Sequence, residues 1–266
     1  MPNIIIRDKI LGNPYVWKQT RDLLFSFTNK PTFTQQRNIN ETMNSLVVSG
    51  LFAKHDLIRV EASHDSQSGT INWKTPGTFT STRVNSPTHT AFQGIAGNGT
   101  TSYVNNNFIP STNGVQYATN SACHYVYDRT NAAANVYVCG IIATASSLLI
   151  SPRGAANIIL GTVNDFSTGL NPASTDSRGL TAVNRSASNA RQIYKNGVSG
   201  GSDATVSISL PNISDFMCGI NNNGVFATPT TDQLSIRGFS ANLSDNEQLL
   251  LYNIWQKYMT NMGTQV

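Results

Sequence analysis

Two carboxylates four residues apart, Glu61 and Asp65, come nearest to catalytic chemistry by type and spacing. Hydrolysis of a glycosidic bond needs two carboxyl groups about 5 to 10 Å apart, one to protonate the leaving group and one to act as base or nucleophile. Here they belong to the end of a predicted strand and the turn beside it. The other glutamates, Glu41 and Glu247, fall in predicted helical elements, where they have structural roles. We therefore predict no catalytic residue and a protein that is not an enzyme.

The four histidines show no spacing that predicts a metal site; they are His55, His64, His89 and His124. Zinc sites of the H-x-x-x-H and H-E-x-x-H types place two histidines on one helix face, and neither pattern occurs. His64 and Asp65 with a distant serine are the residue types of a hydrolase triad, but such combinations arise by chance in a serine-rich chain. We expect satisfied or exposed histidines, no metal ligand and no cofactor.

The three cysteines, Cys123, Cys139 and Cys218, are odd in number and have no C-x-x-C spacing. This disfavours both a disulfide framework and a zinc ribbon. Cys123 and Cys139 lie in apolar surroundings and are predicted to be buried thiols. Free thiols fit assembly in a reducing cytoplasm.

Aromatic side chains are the best route to a ligand, because sugars stack on exposed rings while Asn, Asp and Ser side chains bind their hydroxyls. Four tyrosines are candidates by type: Tyr103, Tyr117, Tyr125 and Tyr194. The alternative is that these rings alternate into the core, where we also expect Trp73 and Trp255. One sequence leaves open which tyrosine faces water, so no ligand-binding residue is assigned.

The composition excludes several other classes of protein. Only 12% of the residues are charged, roughly half the globular average, and uncharged hydrogen-bonding residues replace them, as in extracellular or virion β-proteins. The net charge is +4, but no run of Lys and Arg alternates with aromatics, so no nucleic-acid binding is predicted. No window reaches the roughly 18 to 20 apolar residues of a membrane span, and the first residues do not read as a secretory signal. We expect neither membrane insertion nor export by the secretory route.

The first 56 residues are predicted to form an arm that docks on other elements. A strand candidate, Ile4–Ile6, is followed by side chains too apolar for a free tail: Trp17, Leu23, Leu24, Phe25 and Phe27. Apolar residues then recur at three- and four-residue intervals and predict a helix over 34–49, with Gly50 at its C-terminal end. We expect the arm to dock on this subunit or on a neighbour.

Residues 57 to about 243 contain short β-like runs separated by turn residues about every ten positions. Many short strands without a long amphipathic helix among them indicate a sandwich or barrel. The predicted strands are 57–62, 70–73, 101–104, 124–127, 136–143, 147–150, 157–160, 179–183, 192–195, 205–210, 216–219 and 233–239. Ser244–Glu247 is then an S-x-x-E capping box, and apolar residues at helical spacing predict a helix over 245–262 that packs against the sandwich.

Three segments occur in the order known from one superfamily: Gly97–Val104, the Ile193–Gly197 hairpin, and Ile236–Phe239 leading into Leu243–Glu247. They resemble the G-x-G-x-x-x-Y-V strand, the Y-x-N-G hairpin and the L-S-D-x-E helix start of the concanavalin A-like (laminin-G-like) superfamily. The resemblance implies a jelly-roll sandwich. It does not extend to the clustered Asp and Asn ligands of the calcium-dependent lectins, or to the E-x-D-x-(x)-E strand of the jelly-roll glycoside hydrolases.

A longer stretch, about residues 40–130, is similar to a group of bacteriophage virion proteins that form tail or head appendages. The similar segments follow a helical lead-in at 39–57 and are Ile71–Lys74, Val84–Thr88, Phe92–Gly94, Gly97–Tyr103 and Phe108–Val115. This resemblance implies a structural or host-recognition role in a virion. It identifies no binding residue.

We therefore predict a mainly β protein: a concanavalin A-like jelly-roll sandwich over 57–266, closed by the capped helix 245–262 and preceded by the N-terminal helical or extended docking arm 1–56. The predicted function is a non-enzymatic bacteriophage virion protein, either a structural decoration or an adsorption module for host surface glycans. The expected partners are other virion proteins through the arm, host surface polysaccharide, and further copies of the chain in a homo-oligomer. The alternatives are a stand-alone carbohydrate-binding lectin module and a polysaccharide hydrolase.

Overall fold

Two eight-stranded sheets form the body of the protein in the computed structural model, which describes residues 17–133, 136–167 and 169–266. The first sheet has the order β12-β11-β10-β6-β16-β4-β3, with β1 also pairing with β16. Its strands are β1 (His55–Val60), β3 (Thr88–Thr90), β4 (Gly94–Ala96), β6 (Ala122–Asp128), β10 (Gly179–Ala187), β11 (Ala190–Lys195), β12 (Val198–Asp203) and β16 (Gln233–Ser240). The mainly β fold class is confirmed.

The second sheet has the order β15-β14-β7-β13-β5-β2, with β8 joining β7 to β9. Its strands are β2 (Thr82–Val84), β5 (Tyr103–Asn105), β7 (Cys139–Ile142), β8 (Ser147–Ser151), β9 (Leu160–Asp165), β13 (Phe216–Met217), β14 (Gly219–Asn222) and β15 (Val225–Ala227). The described strand pairs are antiparallel apart from the parallel pair β14–β7. The arrangement is a sandwich, as predicted.

Helices precede, interrupt and close the sandwich. They are α1 (Lys18–Ser26), α2 (Phe33–Val48), α3 (Leu51–Lys54), α4 (Ser66–Gly69), α5 (Pro110–Asn113) and α6 (Asp245–Asn261). The two long helices, predicted over 34–49 and 245–262, are confirmed. Each begins with a capping box, Thr32 with Gln35 for α2 and Ser244 with Glu247 for α6, which satisfies backbone N–H groups that a helix N-terminus leaves unpaired.

The molecule has three layers, with one hydrophobic core on each side of the first sheet. One core joins the long helices to the outer face of that sheet and contains Met43, Tyr125 and Trp255. The other lies between the sheets and contains Val104, Val126 and Phe239, among others. Trp73 and Trp255 are fully buried, as predicted. Helices cover the face of the first sheet that points away from the second.

Fully buried arginines bridge the two sheets inside the sandwich. Arg185 and Arg191, on β10 and β11, bind the carboxylate of Asp165 at the end of β9, at 2.7 and 3.0 Å. Arg237 on β16 binds Asp215, directly before β13, at 2.7 Å. Charge-assisted bonds of this kind hold the sheets in register, since an unpaired charge there would be costly.

Some of the predicted elements differ from the structure. The predicted strands 70–73 and 205–210 are wrong: the first is turn with one isolated bridge at Asn72, and the second is extended chain that joins no sheet. Helix α1 was not expected; no side chain caps its N-terminus. The strand candidate Ile4–Ile6 lies outside the described residues.

The described part of the arm packs on this subunit. Leu23, Leu24 and Phe27 are buried in the same core as α6, which satisfies one of the two placements expected for them. Trp17 and Phe25 remain 39% and 55% exposed. The division into an arm over 1–56 and a sandwich over 57–266 stays a prediction.

Candidate functional site

The four candidate tyrosines have very different surroundings. Three of them are buried, and the hydroxyl of each has a hydrogen-bond partner. The Tyr117 hydroxyl contacts Asn164 Oδ1 at 3.1 Å, and the Tyr125 hydroxyl contacts His55 Nε2 at 2.9 Å. The Tyr194 hydroxyl contacts Asp245 Oδ1 at 2.5 Å. These three belong to the core, as the alternative interpretation held. Tyr103 is half-buried. It is therefore the candidate ring that a ligand can reach.

Tyr103 lies in a stack of aromatic rings on the second sheet. Its ring centroid is 4.5 Å from that of Phe216, with 30° between the planes, and 4.5 Å from that of Phe226, with 17° between the planes. We call Phe216, Tyr103 and Phe226 the aromatic stack. Near-parallel rings at this spacing are a favourable aromatic geometry, which stiffens the group and its strands.

The pleat of β5 decides which way the stack faces. Val104 points into the core between the sheets, so its neighbours Tyr103 and Asn105 point to the opposite face. Asn105 is paired with Phe216 on β13 and with exposed Thr82 on β2, and both partners share its face. Tyr103 and Phe216 therefore lie on the face of the second sheet that points away from the first, and Phe226 joins them by stacking on Tyr103.

Gly219 makes room for the last ring of the stack. A Cβ atom at this position would lie 2.4 Å from Cε2 of Phe226, and the residue has a φ of 142°, where side chains are rarely accommodated. Phe226 can thus lie against the backbone of β14 and reach Tyr103. It is half-buried, which leaves part of its ring open to solvent.

Sequence reasoning missed Phe216 and Phe226, since it considered only tyrosines and tryptophans. A signal for Phe226 was present: Asn223-Gly224 is a hairpin turn, with φ of 50° and 91°, and Val-Phe-Ala follows it as a strand. No signal paired Tyr103 with rings more than 100 residues further along the chain.

Glu61 and Asp65, the two carboxylates considered above for catalysis, both have structural partners. Glu61 is fully buried, and its Oε2 accepts from Arg83 Nη2 at 2.6 Å. Burial raises the pKa of Glu61, although the positive charge of Arg83 acts to lower it. Asp65 caps α4 by accepting from Ser68 N at 2.8 Å, and it also accepts from Asn29 Nδ2 at 2.9 Å. Neither carboxylate is presented to a substrate as an acid–base pair.

Each of the four histidines has a hydrogen-bond partner, as expected. His64 Nε2 contacts the Asn29 carbonyl at 2.9 Å, and His89 Nε2 contacts the Glu61 carbonyl at 3.0 Å. His124 is buried between the sheets against the Thr162 carbonyl, and burial lowers its pKa. His55 is fully buried, and burial lowers its pKa to about 4.

Because His55 is buried with a lowered pKa, we predict that the folded chain loses stability in mild acid. Its pKa is 6.5 when unperturbed and about 4 in the folded chain, so as the pH falls from 6.5 towards 4 the unfolded chain takes up a proton that the folded chain does not. We expect this to remove about 3 kcal/mol of unfolding free energy. Urea denaturation at about pH 7.5 and about pH 4.5 should show that loss in the native chain and a smaller loss in His55→Gln. Equal losses in both proteins would contradict the assignment.

A serine motif in the hairpin of β11 and β12 lacks the geometry of a catalytic serine. Gly197–Gly201 has the G-x-S-x-G spacing of a nucleophile elbow, which places its serine on a strand-to-helix turn. Here Asn196 and Gly197, with φ of 52° and 77°, form the turn between β11 and β12, and Ser199 lies on the exposed strand β12. Its hydroxyl accepts from Gln192 Nε2 at 2.7 Å. The segment is a hairpin.

Within residues 17–133, 136–167 and 169–266, no group of three or more His, Cys, Asp or Glu side chains is placed to hold a metal ion. Asp128 and Asp232 line one narrow crevice. Burial, together with the negative charge of Asp232, raises the pKa of Asp128 well above its usual range, which favours the protonated carboxyl. The cysteines are free and buried, and burial raises the pKa of Cys123 and Cys139 to about 12, so these are inert thiols.

A cleft of about 700 Å³ lies between α1 and the loop that follows Trp73. Its walls carry charged side chains, among them Lys18 and Asp22, which form an ion pair, and Lys74. Lys74 Nζ donates to the Phe52 carbonyl at 2.6 Å and lies over the Phe52 ring. These charges are engaged within the protein, so the cleft is chemically unlike the uncharged aromatic stack.

None of the described helices has both the length and the apolar character needed to cross a membrane.

No protein-family model matches the sequence, and no curated protein matches it. Among solved structures, the chain is similar to a mutant of Trypanosoma rangeli sialidase displaying trans-sialidase activity, with a TM-score of 0.59 and 13% identity over 85% of this chain and 39% of that one. It is also similar to the binding domains of botulinum neurotoxin serotypes D and G, with TM-scores of 0.54 and 0.53 and identities of 9% and 15%.

The neurotoxin matches cover 77% and 76% of this chain and 52% and 51% of the toxin domains. The chain therefore spans about two-fifths of the sialidase and about half of each neurotoxin domain. At such identities the likeness shows the fold alone, a β-sandwich.

Proposed function

We propose that this chain is a non-enzymatic glycan-binding module whose ligand lies against the aromatic stack. The observation that carries the proposal is the stack of Phe226 on Tyr103, two half-buried rings that keep part of their surface open to solvent. A sugar ring presents C–H groups on one face and hydroxyls around its edge. An aromatic surface matches the first, and nearby amides match the second.

The likeness to solved structures is compatible with this proposal. One similar structure is a Trypanosoma rangeli sialidase in complex with 2,3-difluorosialic acid, at a TM-score of 0.51 and 11% identity. It shows that a sandwich of this shape occurs in a glycan-processing protein. The absence of catalysis is proposed from the buried ion pair of Glu61 and the capping role of Asp65.

Phe226→Ala is expected to weaken glycan binding about two- to ten-fold, since ring stacking contributes about 0.5–1.5 kcal/mol and 1.4 kcal/mol is a factor of ten. The matched control is Phe166→Ala, because Phe166 is 48% exposed and follows β9, which pairs only with β8 among the described strands. Binding is measured on a glycan array and then by calorimetry. If both variants bind as the native chain does, the stack is not the site.

The hydrolase alternative predicts a different result. If the chain cleaved a polysaccharide with Glu61 as a catalytic group, reducing sugar would appear on incubation and Glu61→Gln would abolish it. We expect no release of reducing sugar from the native chain. Release that disappears in the variant, with its fold intact by circular dichroism, would establish the enzyme instead.

We further propose that the module belongs to a bacteriophage virion assembled in the host cytoplasm, with residues 1–56 as its contact to other virion proteins. This rests on the sequence resemblance over about 40–130. The described arm also offers exposed apolar rings at Trp17 and Phe33, 39% and 42% exposed, which suit a protein contact. Mass spectrometry of purified particles should find the chain in stoichiometric amounts, and sedimentation should show a homo-oligomer. If the chain is absent from the particles, the virion role fails and the stand-alone lectin is the alternative that stands.

A further inference from the structure

We infer that the aromatic stack takes a neutral glycan, a chain of sugar units without carboxylate, sulfate or phosphate groups. The inference rests on the proposed glycan-binding function of the same surface and specifies its ligand class. It is carried by the charges, amides and hydrogen bonds around the three rings.

The segments that supply the stack are almost free of charge. Residues 84–127 contain no Asp, Glu, Lys or Arg, and residues 204–231 contain only Asp215. Asp215 is fully buried, and Arg237 binds both of its carboxylate oxygens, at 2.7 and 3.1 Å. It therefore offers no charge to a ligand on the outer face.

The charged side chain on the strands next to the stack is also turned away. Arg83 lies on β2, opposite Val104 of β5, so it shares the inward face of that strand pair. Its guanidinium binds buried Glu61 at 2.6 Å and also donates to the Ser66 hydroxyl. An acidic sugar at the stack would thus find on these strands no free Arg or Lys, the partner that carboxylate, sulfate and phosphate groups need.

Amides provide the polar groups instead. Asn105 is two residues after Tyr103 on the same face, and its Oδ1 accepts from Asn107 N at 2.9 Å. Its Nδ2 has no hydrogen-bond partner among the described residues, so it is available to a ligand. Exposed Asn222 ends β14, and exposed Asn223 lies in the turn that leads into Phe226. Amides both donate and accept, which matches hydroxyl groups rather than ions.

Salt dependence separates this recognition from non-specific attraction. The chain carries a net charge of +4, so acidic polymers are drawn to it by long-range electrostatics, which salt screens. Contacts between rings, amides and a neutral sugar are short-range and involve no ions. Their affinity should be nearly independent of salt.

The experiment compares neutral polymers (dextran, mannan and galactan) with acidic ones (polygalacturonate and polysialic acid) by affinity electrophoresis and calorimetry. Each is measured at about 50 mM and about 500 mM NaCl, where the Debye length falls from roughly 14 Å to roughly 4 Å. The variants are Phe226→Ala, Asn105→Ala and the control Phe166→Ala, each checked by circular dichroism. Asn105→Ala provides a second probe of the surface should the ring variant misfold.

We expect the affinity for at least one neutral polymer to change less than two-fold between the two salt concentrations, and to fall about two- to ten-fold in Phe226→Ala. Asn105→Ala should weaken it as well, and Phe166→Ala should not. Tighter, stack-dependent binding of an acidic polymer at high salt would overturn the neutral class and leave the glycan-binding function standing. If the folded native chain retains none of the five polymers, both the function and the ligand class fail.

Discussion

Asp165→Ala is expected to lower the free energy of unfolding by about 3–5 kcal/mol, because removing one partner of a buried ion pair leaves an uncompensated charge in the interior. Here two charges are affected. Arg185 and Arg191 are both fully buried, and both bind this carboxylate, at 2.7 and 3.0 Å. Arg185 loses the carboxylate it binds, whereas Arg191 keeps Asp203, so the loss should lie within that range.

In Asp165→Ala, the guanidinium groups of both arginines keep their other hydrogen-bond partners. Arg185 also donates to the Val163 carbonyl at 3.0 Å, and Arg191 also pairs with Asp203. These contacts hold the arginines in place, so their charge cannot escape to solvent when Asp165 is gone. Asp165→Asn, which keeps the shape and one acceptor oxygen, is expected to cost less than Asp165→Ala.

The matched control is Asp176→Ala. Asp176 also binds an arginine, Arg178 at 2.7 Å, but both side chains are close to half exposed. Exposed pairs contribute about 0–1 kcal/mol, so this variant should stay close to the native chain. Urea denaturation measures both. A cost below about 1 kcal/mol for Asp165→Ala would show that the buried network rearranges or takes in water.

Trp255→Ala is expected to cost about 3–5 kcal/mol, as large aromatic deletions do in well-packed cores. Trp255 is fully buried on α6, with its ring centroid 6.2 Å from that of Trp73 and 6.3 Å from that of Tyr258, both edge-on. Its removal opens a cavity where helices meet the first sheet. Leu250→Ala on the same helix is the control, because Leu250 is 41% exposed and such substitutions usually change stability by less than about 0.5 kcal/mol.

The same measurement tests the division of the chain at residue 56. The core around Trp255 includes side chains from α1, α2 and the sheet, so one packed unit should unfold in one transition. Within each protein, native or variant, far- and near-ultraviolet circular dichroism should then give the same unfolding midpoint. Two separate transitions would instead mean that the arm is an independent unit.

The local elements of this protein follow from short-range sequence patterns. The α6 capping box, the 3.6-residue period of α2 and the Asn196-Gly197 turn are determined by neighbouring residues, and all three are present. Errors occurred where local preference and tertiary context disagree. Residues 205–210 alternate like a strand, yet the chain runs there without a sheet partner.

The functional surface was only partly accessible to sequence reasoning. Tyr103 was among the candidates, but nothing local distinguished it from Tyr117, Tyr125 and Tyr194, which all lie in strand-like or polar stretches. The difference is one of tertiary position. The outer face of the first sheet is covered by helices, while the alternation of β5 places Tyr103 on the outer face of the second sheet, where its ring stays half-buried.

The sequence by itself determined the mainly β class, the capped C-terminal helix and the free buried thiols, because composition and short-range pattern suffice for each. Only the tertiary structure decided that Phe216 and Phe226 join Tyr103, and that Asp165 serves two arginines. Those contacts join residues about 20 to more than 120 positions apart. Strand pairing and sheet packing bring such residues together, and no local pattern encodes which distant strand will be the partner.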